Sequence, residues 1–318
     1  MGRLTVASVG NLNVDIYLKV PYIPDPDGSV ESAETYIGGG GSAANFAVQV
    51  AKLGMVARFI GSVGSDEFGG ALIRELASLG VDVRWVKRSE GLSGMVVVLV
   101  EPNGVKRMIA HRGANLNLSP MDINGDSLNG VNHLHLATGR LDLIRRGVEE
   151  AKALGITVSV DGGSSLVSNG LEKVLSNIRG VDVWFLNSLE VRRLSGIDNP
   201  IEAGSTLSKL SGVGEVVVTM GERGAALLVN GDVKYVEAFK VNPMDTTGAG
   251  DTFAASYIFA RLIGLDYVER LIFANAASAL KVTRRGARSG PTLMEVLEFL
   301  KSRGHGGLAL DVESRLGN

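Results

Sequence analysis

The sequence predicts an α/β protein with a doubly wound, mostly parallel sheet, helices on both faces and a small β-sheet lid. From about residue 130 to residue 220, short apolar strands alternate with helices, as in repeated βαβ units. The run Val216-Val217-Val218 is β-branched and fully apolar, which is typical of a buried parallel strand. Half-polar strands and a turn signal before residue 112 do not fit that sheet, and they predict the separate lid.

The first half of the chain is predicted to contribute strands to both layers. Apolar residues alternate with polar or small ones from Val14 to Val20, as in a half-exposed strand. Glu101-Pro102-Asn103-Gly104 is a hairpin signal between two apolar stretches. We therefore assign about residues 12–37 and 92–112 to the lid. The predicted strands cover residues 4–9, 14–20, 32–37, 56–60, 95–100 and 106–110, and the predicted helices cover residues 43–53 and 67–79.

The second half is predicted to build most of the parallel sheet. Strands are expected at residues 133–136, 156–160, 182–186 and 215–220, with helices near 142–153, 171–178 and 201–210. His133 and His135 share one face of a predicted strand, where we expect packing or a hydrogen bond. The chain length suits one large domain over residues 1–302 that includes the lid. The glycine-rich tail, residues 303–318, is weakly patterned and receives no assignment.

Composition excludes several classes of function. Of the 318 residues, 45% are hydrophobic and 21% are charged, and the net charge is −2, so no basic excess indicates a nucleic-acid partner. The chain has no cysteine, which excludes disulfides, thiolate zinc sites and a cysteine nucleophile. The apolar runs are too short to span a bilayer, so no membrane partner is expected. The N-terminus has no signal-peptide core, and we expect a cytoplasmic location.

The segment from Asp245 to Phe253 is the strongest chemical signal. Glycines at positions 248 and 250 allow a close approach of the backbone, and the apolar helix that follows adds its positive N-terminal end. Such a site suits an anion such as phosphate. Asp251 then lies in the first turn, where it could take a proton from a hydroxyl that attacks the phosphate. The alternative is that Asp251 only caps the helix.

A run of four glycines precedes the first predicted helix. Gly38, Gly40 and Ala43 formally satisfy the dinucleotide pattern G-x-G-x-x-A, with Asp66 roughly 20 residues further on. That fingerprint needs a buried strand before it, whereas residues 31–37 are short and polar. A flexible turn is a second reading. In the third, the glycines let a ligand lie on the backbone while Asn45 hydrogen-bonds it. The chain has no P-loop motif.

Polar residues also follow predicted strands. Ligands of doubly wound sheets bind beyond the carboxyl ends of the strands, so Asn13 and Asp15 are placed to bind hydroxyls, although turn formation is the alternative. Asn187 and Glu190 are three positions apart at a helix start. That spacing serves either a hydrated Mg²⁺ or a capping box. The glycines of Thr219–Gly224 would admit a nucleotide phosphate or form a plain hairpin.

Together these stretches resemble the PfkB (ribokinase-like) carbohydrate kinase family over about residues 4 to 300. Each motif is weak alone, but their number and order are specific. In chain order they are G-N-L-N-V-D from Gly10, G-G-S-A-A-N-F-A from Gly40, G-S-V-G-S-D-E-F-G from Gly61, R-G-A-N from Arg112, N-S-L-E from Asn187, T-M-G-E-R-G from Thr219, D-T-T-G-A-G-D-T-F from Asp245 and A-N-A-A-S-A-L-K-V-T-R-R-G-A from Ala274.

The resemblance implies a ribokinase-like fold and an ATP- and Mg²⁺-dependent kinase that phosphorylates a primary hydroxyl of a sugar or nucleoside. It makes Asp251 the general base and Gly248, Ala249 and Gly250 the anion hole. The implied substrate contacts are Asn13, Asp15, Gly40, Gly41 and Asn45. The implied nucleotide contacts are Asn187, Thr219, Gly221, Gly224 and Asn275. Asn187 and Glu190 would hold Mg²⁺ through water, and the carbonyls of Asp245 and Thr247 match a K⁺ site found in some members.

The sequence departs from the ribokinase subgroup at Ser42, where that subgroup has lysine, and this leaves ribose itself in doubt. Arg107 or Arg112 in the lid would bind an acidic substrate group, or the lid cations are only a solvated face. The substrate stays open among a neutral sugar, a keto-sugar acid, a sugar phosphate and a nucleoside, and the donor between ATP and ADP. A non-catalytic binding protein is the competing class. Pairing of an exposed lid sheet would give a homodimer.

Overall fold

The computed structural model describes residues 4–102, 105–161 and 163–317. In that part of the chain the strands are β1 (Thr5–Gly10), β2 (Asn13–Lys19), β3 (Glu34–Gly40), β4 (Val56–Gly64), β5 (Val81–Asp82), β6 (Val86–Ser89), β7 (Gly94–Val100), β8 (Lys106–His111), β9 (His133–Ala137), β10 (Thr157–Asp161), β11 (Val183–Asn187), β12 (Glu215–Thr219), β13 (Ala225–Val229) and β14 (Asp232–Val236).

The α-helices of the same residues are α1 (Ser42–Lys52), α2 (Glu67–Ser78), α3 (Leu141–Ala153), α4 (Gly163–Val167), α5 (Leu171–Asn177), α6 (Ser188–Ser195), α7 (Pro200–Ser211), α8 (Ala249–Leu262), α9 (Tyr267–Val282), α10 (Leu293–Ser302) and α11 (Gly306–Gly317). None of the described helices is long and apolar enough to cross a membrane.

The large sheet has the order β14-β13-β12-β11-β10-β9-β1-β4-β5, with β6 also paired to β4. Pairing is parallel from β12 through β5, and only the β12–β13 and β13–β14 pairs are antiparallel. Two separate apolar cores cover its faces, one around Phe46 and Tyr257 and the other around Trp184 and Leu134. The predicted doubly wound sheet is therefore confirmed.

Successive side chains of a central strand point to opposite faces of the sheet, and this explains the two cores. Val217 of β12 packs into the first core, and its neighbours Val216 and Val218 pack into the second. His133 and His135 lie within the sheet layer and hydrogen-bond to hydroxyls of β10, including Ser159 Oγ at 2.7 and 2.8 Å. Burial lowers the pKa of both imidazoles below the ordinary value, to about 3 for His135. The two histidines pack and hydrogen-bond within the sheet, as predicted.

The small sheet has the order β3-β2-β7-β8, with β2 and β7 parallel and the outer pairs antiparallel. It is the predicted second β layer. Because β3 belongs to this sheet and pairs antiparallel with β2, no buried parallel strand precedes the glycine run, and the dinucleotide reading is wrong. Asp66 instead caps α2, where its carboxylate accepts from Gly69 N at 2.9 Å. Asn103 and Gly104 of the predicted hairpin lie outside the described residues.

The C-terminal tail, which the sequence pattern left unassigned, forms α11. Leu308, Ala309 and Val312 bury one side of this helix in the first core. The strands β5, β6 and β14 and the helices α4, α9 and α10 were also not predicted; β5, β6 and α4 are short, and β14 is half-exposed. The carboxyl ends of β1, β10, β11 and β12 meet the start of α8 on one edge of the large sheet, which is where such sheets bind ligands.

Candidate active site

Two cavities meet at the N-terminus of α8. The first, of about 350 Å³, lies between the small sheet and the carboxyl ends of β1, β9 and β10. The second, of about 520 Å³, lies between α8, α9 and the ends of β11 and β12. Gly250 lines both cavities. A group transferred from a ligand in one cavity to a ligand in the other would pass this residue.

The chain enters α8 through a left-handed glycine. Gly248 has φ 76°, and a Cβ there would lie 2.3 Å from the carbonyl oxygen of Ala287, so only glycine fits. The amide of Ala249 donates to Thr246 O at 3.2 Å. The amide of Gly250 donates to no acceptor in the described part of the chain. An unpaired N–H at a helix start is available to an anion.

Asp251 is buried at the first turn of α8, with 8% of its surface exposed. Its Oδ2 accepts a 2.8 Å hydrogen bond from Asn45 Nδ2 on α1. No side-chain capping bond is present at the start of α8, so the capping alternative does not describe this carboxylate. Burial raises the pKa of Asp251 to about 6, against hydrogen bonds from Asn45 and Ser42 that lower it.

Asp15 lines the same cavity from β2. Its Oδ1 is buried and has no hydrogen-bond partner in the described part of the chain. Burial raises the pKa of Asp15 to about 6, which Arg288 opposes and Asp251 assists. A Cβ at Gly40 would lie 2.0 Å from Asp15 Oδ2, so this glycine makes room for the carboxylate. A buried acceptor without a partner, aimed into a cavity, suits a ligand hydroxyl.

Arg288 fixes the orientation of Asn45, and the sequence pattern did not identify it. Its side chain is 6% exposed, and it donates to Asn45 Oδ1 at 3.3 Å, to Gly40 O at 3.0 Å and to Glu75 Oε2 at 2.6 Å. Because an arginine only donates, the oxygen of the Asn45 amide faces it and the NH₂ group faces Asp251. Arg288 thereby joins the glycine run, α1 and α2 to the loop after α9, beside Asp251.

Further residues of the first cavity complete its polar lining. Asn13 Oδ1 accepts from Asn115 Nδ2 at 2.8 Å, which places Asn13 beside the cavity. Thr138 and Asp161 also line it and were not predicted. Burial raises the pKa of Asp161 well above its usual value, with contributions from the Asp251 and Glu190 charges. Asp161 ends β10, so the strand-end rule that selected Asp15 would also have selected it.

The structure does not bring Arg107 to the first cavity. Its side chain is 55% exposed, and Nη1 lies 2.6 Å from Glu101 Oε2. The register pairs Val98 with Met108, and both line the cavity, so the adjacent Arg107 faces the other side of the sheet. Arg112 does not line the cavity either. Neither lysine nor arginine is present among the described residues that line it.

The second cavity contains all five predicted nucleotide contacts, which are Asn187, Thr219, Gly221, Gly224 and Asn275. Gly224 has φ 101°, and a Cβ there would lie 2.0 Å from Val236 O. Asn275 Nδ2 donates to the carbonyls of Val236 and Glu237 at 3.3 and 3.2 Å. Phe253 adds an apolar surface to the lining. A cavity that combines an apolar wall with glycines and hydrogen-bonding side chains is typical of a ligand site.

Asn187 and Glu190 form a capping box at the start of α6. Asn187 Oδ1 accepts from the amides of Leu189 and Glu190 at 2.9 and 3.0 Å, and Glu190 Oε2 accepts from Asn187 N at 2.9 Å. Burial raises the pKa of Glu190. The described residues contain no group of three or more carboxylate or histidine side chains placed to hold a metal ion. An ion here would therefore keep most of its ligands as water or substrate oxygens.

Asp245 connects the loop before α8 to the loop after α9. Its carboxylate accepts from Thr247 N at 2.9 Å and from Gly286 N at 3.0 Å. Its carbonyl oxygen, one of the two assigned to a K⁺ site by resemblance, accepts from Lys281 Nζ at 2.8 Å. This carbonyl therefore already has a positively charged group bonded to it.

The fold and site define a phosphotransferase that acts on an alcohol group. Residues 3–293 match the model of the pfkB family carbohydrate kinases, and the chain belongs to this family. Among curated relatives, the ATP-dependent ribose-1-phosphate kinase of Halopiger xanaduensis is 34% identical over 300 residues, covering 94% of this chain and 98% of the relative. The ribokinase of Haemophilus influenzae is 29% identical, and the match covers 94% of this chain and 99% of the relative.

Solved structures give the same result. The ribokinase of Thermotoga maritima matches with a TM-score of 0.82 and 31% identity, covering 94% of this chain and 99% of that one. The ribokinase of Arabidopsis thaliana, complexed with ribose and ATP, matches with a TM-score of 0.84 and 28% identity, covering 95% and 99%. A putative ribokinase II of E. coli in complex with ATP and Mg²⁺ matches with a TM-score of 0.80 and 28% identity. The match covers 94% of this chain and 99% of that one. The predicted family and fold are confirmed.

Proposed function

We propose that this kinase transfers the γ-phosphoryl group of ATP to a primary hydroxyl of a small neutral sugar such as ribose. The observation that carries the proposal is the position of Gly250 and Asp251. Gly250 lines both cavities, and the adjacent Asp251 lines the first, where its buried carboxylate is held by Asn45. A sugar in the first cavity and a nucleotide in the second would meet at these two residues.

Asp251 is the proposed general base. A hydroxyl beside its carboxylate would lose its proton as bonding to phosphorus advances, so a carboxylate is basic enough for the task. Asn45 and Asp15 would hold other hydroxyls of the sugar and so orient the attacking one. The free amide of Gly250 would stabilise charge on the transferring group, with Gly248 and Ala249 shaping the loop. The small sheet would close over the sugar and exclude water.

The second cavity is the proposed ATP site. Thr219, Gly221, Gly224 and Asn275 would contact the nucleotide, whose phosphates would run toward Gly250. Asn187 and Glu190 would hold Mg²⁺ through water while they retain their capping bonds. When bound, Mg²⁺ would neutralise charge on the phosphate oxygens. The E. coli relative, solved with ATP and Mg²⁺, supports this assignment.

The charge of the first cavity favours a neutral sugar over an acidic one. Asp15 and Asp251 line it, together with Asp161, whose pKa burial raises well above the usual value, and no described lysine or arginine lines it. An anionic substrate group would be repelled, whereas hydroxyls would satisfy the carboxylates as hydrogen-bond donors. The Arabidopsis relative, solved with ribose and ATP, supports a sugar of this size. Keto-sugar acids rank lower because they are anionic. Nucleosides are neutral, and they rank lower because the curated relatives reported above are named as a ribose-1-phosphate kinase and a ribokinase.

Ribose 1-phosphate is the second candidate, because the Halopiger relative is named for it. Lys106 is the cation that would receive the substrate phosphate. Its Nζ lies 3.2 Å from the hydroxyl of Thr247, which lines the first cavity. A sugar phosphate would have to reach from Asp251 to this edge of the small sheet.

A phosphorylation screen tests the substrate. The purified chain is incubated with Mg²⁺ and either ATP or ADP, against ribose, ribose 1-phosphate, 2-keto-3-deoxygluconate, fructose and nucleosides. We expect ATP with ribose to give the highest kcat/KM. Higher kcat/KM with ribose 1-phosphate, lost selectively in Lys106→Ala, would establish the second candidate. Binding of sugar and ATP without turnover of any substrate would indicate a non-catalytic binding protein.

We also propose that the outer face of the small sheet pairs two copies of the chain. Ile37 and Ile109 lie on that face and are 57% and 66% exposed. Exposed apolar residues of this size on a sheet favour an interface. Size-exclusion chromatography with light scattering should give a dimer, and Ile109→Glu should give a monomer. A monomeric wild-type chain at micromolar concentration would refute the proposal.

A further inference from the structure

Lys281 is a fully buried lysine in the last turn of α9, and its side chain takes no part in either cavity. Its ammonium donates to the carbonyl oxygen of Asp245 at 2.8 Å and to that of Arg284 at 3.3 Å. A fully buried lysine is rare in proteins unless its charge is paired. Here two carbonyl oxygens from two different loops accept hydrogen bonds from the ammonium and take the place of its hydration.

The ammonium lies where two loops are joined by hydrogen bonds, next to residues 245–250, which we call the anion loop. Val282 O accepts from the amides of Met244 and Asp245 at 2.7 and 3.1 Å. The Asp245 carboxylate accepts from Gly286 N, and Gly248 packs directly against Ala287. These contacts join residues 244–248 to residues 282–287 around a set of backbone carbonyls. Burial lowers the pKa of Lys281 below its ordinary value, and Lys106 lowers it further, whereas the negative charges of Asp245 and Asp251 oppose this shift.

A dehydrated monovalent cation and an ammonium can each be bound by a cluster of backbone carbonyl oxygens. Each carries one positive charge and replaces its hydration by bonds to carbonyl oxygens. Here the Asp245 carbonyl, which a K⁺ ion would use, is already bonded to Lys281. A second positive charge next to a buried ammonium would be repelled strongly, because the dielectric of the interior is low.

We propose that the ammonium of Lys281 takes the place of a monovalent cation behind the loop of residues 245–250, so that phosphoryl transfer by this chain is independent of K⁺. The inference rests on the proposed function in so far as this loop is the anion loop. Lys281 touches neither ligand cavity, so it is a positioning residue. It holds the loop through the Asp245 carbonyl and places a fixed positive charge behind the site.

Three variants test the proposal. Lys281→Ala removes the charge and opens space between the carbonyls, whereas Lys281→Met removes the charge but fills most of that space. Lys52→Ala is the matched control, because Lys52 Nζ also donates to two loop carbonyls, those of Arg288 and Gly290, at 2.8 Å each. The unfolding midpoint and the rate of sugar phosphorylation are measured in KCl and in tetramethylammonium chloride at equal ionic strength.

The wild-type rate and midpoint should be the same in both salts, the rate within about twofold. Lys281→Ala should have a lower midpoint and at least about tenfold lower rate in tetramethylammonium chloride. KCl should restore both, because an ion that binds only the folded state stabilises it. Lys281→Met and Lys52→Ala should show no response to KCl.

Activation of the wild type several-fold by KCl, or a rise of its midpoint specific to KCl, would overturn the proposal. So would a Lys281→Ala variant that matches the wild type in both salts, or one that KCl rescues no better than it rescues Lys52→Ala. If no sugar is phosphorylated, the proposed function fails. The unfolding midpoints in the two salts still show whether the Lys281 ammonium or a K⁺ ion supplies the positive charge beside the loop.

Discussion

Asn45 Nδ2 donates a 2.8 Å hydrogen bond to Asp251 Oδ2 and so joins two residues that are 206 positions apart in the chain. The bond links the helix after the glycine run to the helix after the anion loop. It lowers the pKa of Asp251 against a larger rise caused by burial. The proposed base is therefore held in one position, and its carboxylate is the dominant form at neutral pH.

The pH dependence of activity follows from that pKa. Burial raises the pKa values of Asp251 and Asp15 to about 6, and the base works only as a carboxylate. We expect kcat/KM to rise as the pH increases through about 6 and to level off near pH 7.5. A pH-rate profile between pH 4.5 and 8.5 measures this. A profile that is flat across that range would contradict the assignment of a buried base.

Asp251 should also limit stability at neutral pH. Because its folded pKa is raised, its stabilising contribution is present below the ordinary value of 3.8 and is lost as the pH rises through about 6. Asp251→Asn should therefore raise the free energy of unfolding at pH 8 by about 1–3 kcal/mol. Urea unfolding at pH 8 and near pH 4 tests this, and the difference should nearly vanish at the lower pH. A variant less stable than the wild type at pH 8 would contradict the prediction.

Arg288 should set the pH range of the enzyme. Its charge lowers the pKa values of Asp15 and Asp251, and its side chain orients Asn45. Arg288→Gln should shift the acid limb of the pH-rate profile to higher pH and raise the KM of the sugar. Arg288→Lys keeps the charge and loses the forked geometry, so its KM should rise with a smaller shift of the limb. An unchanged limb in Arg288→Gln would leave Arg288 with a structural role only.

Gly250 should show a trade between stability and activity. A Cβ at this position would meet no atom within 4 Å, so alanine fits the fold and places its methyl group in open space at the junction of the cavities. In a helix, alanine is favoured over glycine by about 1 kcal/mol. We expect Gly250→Ala to unfold at a higher temperature and to lose at least about tenfold in kcat. Calorimetry and steady-state kinetics measure the two effects, and full activity would refute the role of this loop.

The alternation of apolar residues was enough to predict the order of most elements, because central strands such as β12 bury both faces. Elements that depend on distant partners were missed. The strand β14 pairs at the sheet edge and is half-exposed, and α11 is recognisable only by the side that Leu308 buries. The face of Arg107 could not be predicted, because it depends on the register between β7 and β8.

The residues of the candidate site also fall into two groups, those that the sequence predicted and those that it did not. Asp15, Asn45 and Asp251 follow local signals, namely a strand end, a glycine run and a helix start, and the structure brings all three to one cavity. Arg288 carries no local signal, and Lys281 lies within the motif that begins at Ala274 but has no predicted role there. Each acts on backbone or side chains that only the fold brings near.

The most direct test of the account is the effect of Asp251→Asn on phosphoryl transfer and on nucleotide binding together. The side chain keeps its size and its bond from Asn45, but it loses the proton acceptor. We predict that kcat with ATP and the preferred sugar falls by about 10²–10⁴-fold, while the Kd for ATP by calorimetry stays within about threefold. A kcat within about tenfold of the wild type would contradict the assignment of Asp251 as the base.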